Sequence, residues 1–189
     1  MLAAVNTIMN RREWAMLVTL SVLWGGSFFF AEIALESLPP LTIVTLRVGL
    51  AAITLWLVVL ALKLPIPNSP PIWIAFLIMG LLNNVLPFSL IVWGQSQISS
   101  GLAAILNATA PLFGVIVAGI LLRDESATPL KITGVVVGFA GVIVMMDLSS
   151  IATSSLLAQL AILAAALSYA CASVYGRRFK ATGLNPILV

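Results

Sequence analysis

A chain of 189 residues that is 61% hydrophobic and only 8% charged cannot cover a water-facing surface, because a soluble domain carries about 25% charged residues. Its mean hydropathy of +1.17 makes lipid the expected solvent. The net charge of +3 includes no basic run with interleaved aromatics, which excludes a nucleic-acid footprint.

Six long apolar runs follow in chain order, at about residues 14–31, 41–62, 72–93, 99–122, 130–146 and 155–175. Each is close to the roughly 20 residues that a helix needs to cross a bilayer. Pro39-Pro40, the stretch 65–71, the stretch 95–100 and the stretch 126–129 are polar or proline-rich breaks between them. The runs are too long for strands and lack period-2 alternation. The expected fold class is therefore all-α, a polytopic helical membrane protein with six transmembrane helices.

In the first run, Arg11 and Arg12 precede an apolar stretch of spanning length with no small-residue cleavage site, so it reads as a span and not as a cleaved signal. Trp24 and the aromatics Phe28, Phe29 and Phe30 lie within it, with Glu32 and Glu36 near its end. Trp14 and Trp73 fit an interfacial belt.

The second run carries Arg47 six residues from its start, about 9 Å deep at 1.5 Å per residue. At that depth a cation needs a partner, a wet cavity or an interface within reach of its flexible chain. By topology the nearest candidate partners are Glu32 and Glu36, and Arg47 with Glu32 is a candidate ion pair or gate. The third run is interrupted by Asn83, Asn84 and Pro87, where the missing proline N–H leaves a carbonyl in need of another donor. Trp93 closes it.

In the fourth run, Ser100, Ala103, Asn107, Pro111 and Gly114 form a small and polar helical face. Asn107 lies mid-span, where an interhelical hydrogen bond and cavity lining are both open to it. Pro111 is a second expected kink. Asn107-Ala108-Thr109 matches a glycosylation sequon, but a site within the bilayer is out of reach. In the fifth run, Gly134, Gly138 and Gly141 read as a packing seam. Ala161, Ala165, Ser168 and Ala172 make a similar face on the sixth. Cys171, the single cysteine, reads as a small packing residue.

The charges fix an expected orientation. With the N-terminus cytoplasmic, Arg11, Arg12, Lys63, Arg123, Lys131, Arg177, Arg178 and Lys180 all fall inside, and Arg47 lies within a helix. The expected placement is a multi-pass protein of the cytoplasmic (inner) membrane with both ends inside.

Motifs for catalysis are missing. Histidine, the commonest general base and metal ligand, does not occur. No G-x-S-x-G, H-E-x-x-H, Walker or dinucleotide fingerprint is present, and no serine has a base at its depth. The sequence thus carries no catalytic set, no metal site and no cofactor signature.

Trp24-Gly25-Gly26-Ser27-Phe28, Leu38-Pro39-Pro40 and Arg47 together resemble the opening of the EamA-type transporters of the drug/metabolite transporter superfamily. Ala103-Ala104-Ile105-Leu106-Asn107-Ala108-Thr109-Ala110-Pro111-Leu112 is similar to that family's fourth helix, with Glu125 as its closing acidic residue. Gly134 and Gly138-Phe139-Ala140-Gly141-Val142 resemble its fifth. The resemblance covers residues 12–147 and implies a first five-helix repeat there. A second repeat in inverted orientation would start at residues 154–189, where Leu167 to Ser173 loosely echo Leu23 to Ser27 and Leu184-Asn185-Pro186-Ile187 echo Leu38-Pro39-Pro40-Leu41.

The implied architecture is a partial inverted-repeat transporter fold that lacks four helices of the ten typical of the family. The sixth helix has no evident partner. The chain is expected to be a truncated piece, or to associate with a second copy or a separately encoded second half. The resemblance implies a secondary transporter that exports small polar or amphipathic metabolites, such as amino acids or drugs, by alternating access. Trp24, Ser27, Arg47, Asn84, Trp93 and Asn107 are the expected cavity wall. Besides the lipid bilayer, the expected partner is a small-molecule substrate. The competing reading is a non-transporting structural or assembly subunit of a membrane complex.

Overall fold

The computed structural model describes residues 9–122, 128–145 and 155–188. Arg123 and Glu125, which entered the charge and motif readings, lie outside the described residues. Among the described residues the chain is all-helical, without strands. The α-helices are α1 (Arg11–Leu35), α2 (Pro40–Ala61), α3 (Pro70–Gly80), α4 (Leu86–Gln95), α5 (Ser100–Asn107), α6 (Ala110–Leu121), α7 (Pro129–Met145) and α8 (Leu156–Gly176). A π-turn, Leu81–Val85, joins α3 to α4, and two 3-10 turns, Arg177–Thr182 and Pro186–Leu188, follow α8.

Five segments are long and apolar enough to cross a membrane: Arg11–Leu35, Pro40–Ala61, Pro70–Gln95, Ser100–Leu121 and Leu156–Lys180. The fifth expected span appears as the shorter apolar helix α7, whose 17 described residues reach about 26 Å. This is a polytopic helical membrane protein.

Local chemistry sets the helix starts. Asn10 accepts from the Glu13 N–H at 2.9 Å while Glu13 accepts from the Asn10 N–H at 2.6 Å, a reciprocal capping box. Pro40, Pro70 and Pro129 open α2, α3 and α7, where a missing N–H costs nothing. The Ser99 and Ser155 hydroxyls accept from the N–H groups of Leu102 and Ala158.

Along the exposed faces the hydroxyls of Thr19, Ser21, Thr45, Thr54 and Thr133 each donate to a carbonyl four residues back. A hydroxyl so satisfied asks nothing of its surroundings, so it is tolerated against hydrocarbon. Around them, Leu41, Leu50, Leu57, Leu60, Val136 and Val144 are all exposed. Apolar surface all round a helix is the mark of a lipid-facing span.

The buried centre is α8. It packs against α4 and α6, with further contacts to α5 and the π-turn. The expected small face is there: Ala161, Ala165, Ser168 and Ala172 are all buried, as are Ala158 and Ala166. The expectation that this helix has no partner is overturned. The reason is steric: a Cβ built on Gly94 would lie 2.8 Å from Ile162 Cγ1 and 3.2 Å from the Ala158 carbonyl. A bare glycine on α4 thus lets α8 seat itself against the α4 backbone. Ile98, Leu102, Ala103 and Leu106 close over Ala158 and Ile162, with Phe28 and Leu163 packed alongside.

The glycine seam on α7 shrinks to one position. Gly138 meets Leu112 so closely that a Cβ would fall 2.6 Å from Leu112 Cδ2, whereas Gly134 and Gly141 face open space. Phe113 and Phe139 meet edge to face at 5.6 Å beside it. The small face expected on the fourth span is also broken. The helix is interrupted at Ala108 and Thr109, where the Thr109 hydroxyl donates to the Leu106 carbonyl at 2.6 Å. Pro111, lacking an N–H, cannot donate to the Asn107 carbonyl, which is why the ladder fails there.

Candidate functional site

Arg47 projects from α2 and sets its guanidinium over the Phe88 ring of α4, 4.2 Å from the centroid. Tyr169 of α8 meets the same ring edge to face at 6.5 Å. Three helices therefore converge on Phe88. The ring's negative face attracts the cation, worth up to about 2 kcal/mol where water is scarce. The structure does not bring Arg47 to Glu32: Glu32 is half-buried on α1, and no ion pair joins the two in this arrangement. The guanidinium is left with donors free for an acceptor.

The other expected wall residues lie on α1, the π-turn, α4 and α5. Asn84 is half-buried within the π-turn, one turn before Phe88. Trp93 is half-buried on α4. Asn107 ends α5 half-buried, and its Oδ1 is enclosed without a hydrogen-bond partner. Ser27 is half-buried on α1, while Trp24 stands 69% exposed on the same helix. Pro87 is fully buried and directly follows the π-turn, and Pro111 opens α6 after the break.

Three participants escaped the sequence reading. Phe88 was masked by its apolar surroundings. Tyr169 had a usable signal, since the chain holds only two tyrosines and both fall on α8. A phenol in an apolar helix usually has a polar errand. Gln95 was placed in a loop break but is the last residue of α4 and is buried. Its Nε2 donates to the Phe28 carbonyl at 2.9 Å and ties α4 to α1.

The Gln95 Oε1 is enclosed without a partner. Replacing Gln95 with methionine removes one hydrogen bond and one unsatisfied acceptor together. The two effects oppose each other, so Gln95→Met is expected to shift the thermal midpoint by less than about 2 °C in detergent. Gln95→Ala, which leaves a void, is expected to cost about 2 kcal/mol.

The model of the EamA-like transporter family matches residues 12–147. The chain is 25% identical over 167 residues to a Bacillus subtilis protein named as the uncharacterised transporter YoaV, covering 87% of this chain and 57% of that one. It is 32% identical over 162 residues to the uncharacterised inner membrane transporter YedA of Escherichia coli K12, covering 86% and 52%. It is 30% identical over 122 residues to the protein PagO of Salmonella typhimurium, covering 65% and 39%. The chain spans about half the length of YoaV and YedA. No solved structure gives a significant match.

Proposed function

Because the chain belongs to the EamA-like transporter family, we propose that it is a secondary transporter, or one half of one, that exports small polar or amphipathic metabolites by alternating access. The observation that supports this reading is Arg47: a guanidinium held on an aromatic ring well inside a span, with its donors turned to no carboxylate among the described residues. A permanent cation in that position suits a site that receives the anionic group of a solute. In the closed state the same group would exchange its solute for Glu32, making the pair a gate.

Residues 12–147 serve as a first repeat and the segment from 154 onward opens a second, with α8 docked on the first through its alanine face. A second copy or a second half would complete the path. The charge distribution supports an inner-membrane placement with both ends of the chain in the cytoplasm.

The test is transport of amino acids and related metabolites into and out of proteoliposomes that hold the protein carrying this segment. Asn107→Ala, which removes a mid-span amide from the wall, is expected to slow flux about tenfold. Flux at the wild-type rate in both Asn107→Ala and Arg47→Ala would overturn the site reading.

A further inference from the structure

The π-turn between α3 and α4 shifts the backbone ladder by one residue. The Leu86 N–H donates to the Leu81 carbonyl, five residues back instead of four. In this frame the next carbonyl, that of Leu82, looks to the N–H of residue 87. Residue 87 is proline and has none. Pro87 is fully buried and the turn lies within a span, so bulk water is not at hand to supply a donor. An acceptor stranded there costs as much as a lost hydrogen bond.

The donor comes from another helix. The Ser168 hydroxyl, buried on α8, reaches the Leu82 carbonyl at 2.7 Å. The residues beside the serine and beside the proline form the Arg47 site. Phe88 follows Pro87 and carries the guanidinium, and Tyr169 follows Ser168 and meets the Phe88 edge.

We infer that Ser168 is a positioning residue for the Arg47 site: by closing the Leu82 carbonyl it pins α8 to the π-turn and holds Phe88 beneath the guanidinium. The inference rests on the transport reading for its consequence, but the bond itself does not. While the bond holds, the π-turn and α8 move as one body. When it opens, the π-turn relaxes away from α8 and Phe88 leaves Arg47.

A double-mutant cycle tests this, because Pro87→Ala restores an N–H at residue 87. With that donor in place Ser168 is no longer needed. Amide exchange over residues 83–88 is expected to quicken about tenfold in Ser168→Ala, and solute flux to fall by a similar factor. In the Pro87→Ala background the same substitution is expected to change either readout less than about twofold. Ser168→Thr, which keeps the hydroxyl, is expected to recover exchange in part. A Ser168→Ala effect of equal size in both backgrounds would overturn the bond's role. Coupled exchange with unchanged flux would overturn the positioning role. If no solute moves in any variant while exchange remains coupled, the transport reading fails and the bond stands.

Discussion

Gly94→Leu is expected to give the largest loss of stability of any single change on α4, about 3 kcal/mol, with a thermal midpoint in detergent lower by about 10 °C. Alanine already puts a Cβ 2.8 Å from Ile162 Cγ1. That atom lies next to the branch of a β-branched side chain, which has few rotamers to retreat into. Behind it the Ala158 carbonyl at 3.2 Å is backbone and does not give way. Leucine adds three more carbons with nowhere to go, so α8 must leave its seat. The loss outweighs the helix propensity of about 1 kcal/mol that replacing a glycine returns.

A second measurement separates this cause from general damage. Ile162→Ala alone opens a cavity and is expected to cost about 3 kcal/mol. Combined with Gly94→Leu, the added side chain occupies the vacated space, and the pair is expected to cost less than the sum by about 2 kcal/mol. Strict additivity would show that Gly94 does not set the approach of α4 and α8. Gly138 provides the contrast, since the nearest atom there is the terminal Cδ2 of Leu112. A leucine methyl turns away where a β-branch cannot.

Much of the fold was legible because a bilayer imposes a length on each element. The second run was read as 41–62 and forms as Pro40–Ala61. Hydropathy alone decides such an element, and the flanking prolines trim it. Asn83, Asn84 and Pro87 marked the third run as interrupted, but not how. A π-turn is a change of hydrogen-bond frame, which leaves no periodic trace in side chains, and its stranded carbonyl is answered by a serine on another helix. The alanine face of α8 was visible as a pattern, whereas its partner was a lone glycine on α4 whose meaning is tertiary. Gln95 was read as loop because a primary amide at the end of an apolar run looks like an exit. Its hydrogen bond to Phe28 is a contact between residues far apart in the chain.

The candidate site shows the same division. Depth along the helix singled out Arg47, and depth is a local quantity. Charge and topology suggested Glu32 as its neighbour, while in this structure the long side chain settles on Phe88. Both carboxylate and ring stabilise a guanidinium, and the choice between them depends on how α2 faces α4. No single-chain pattern encodes that angle.

Arg47→Ala is expected to lower solute flux about a hundredfold while leaving the thermal midpoint within a few degrees of wild type. The side chain is exposed, so its removal opens no cavity in the bundle. The hydrogen bonds it would give to an anionic solute are charge-assisted, worth up to about 3 kcal/mol. Arg47→Lys keeps the charge but loses the flat face that stacks on Phe88 and the paired donors, so it is expected to keep about a tenth of the flux. Phe88→Leu leaves the cation in place without its ring and is expected to match Arg47→Lys, about tenfold slower. Glu32→Gln separates recognition from gating. If Glu32 takes Arg47 only when the path closes, neutralising it leaves solute affinity unchanged and alters the maximal rate alone. Wild-type flux in Arg47→Ala would remove the cation from the mechanism and leave its contact with Phe88 a structural one.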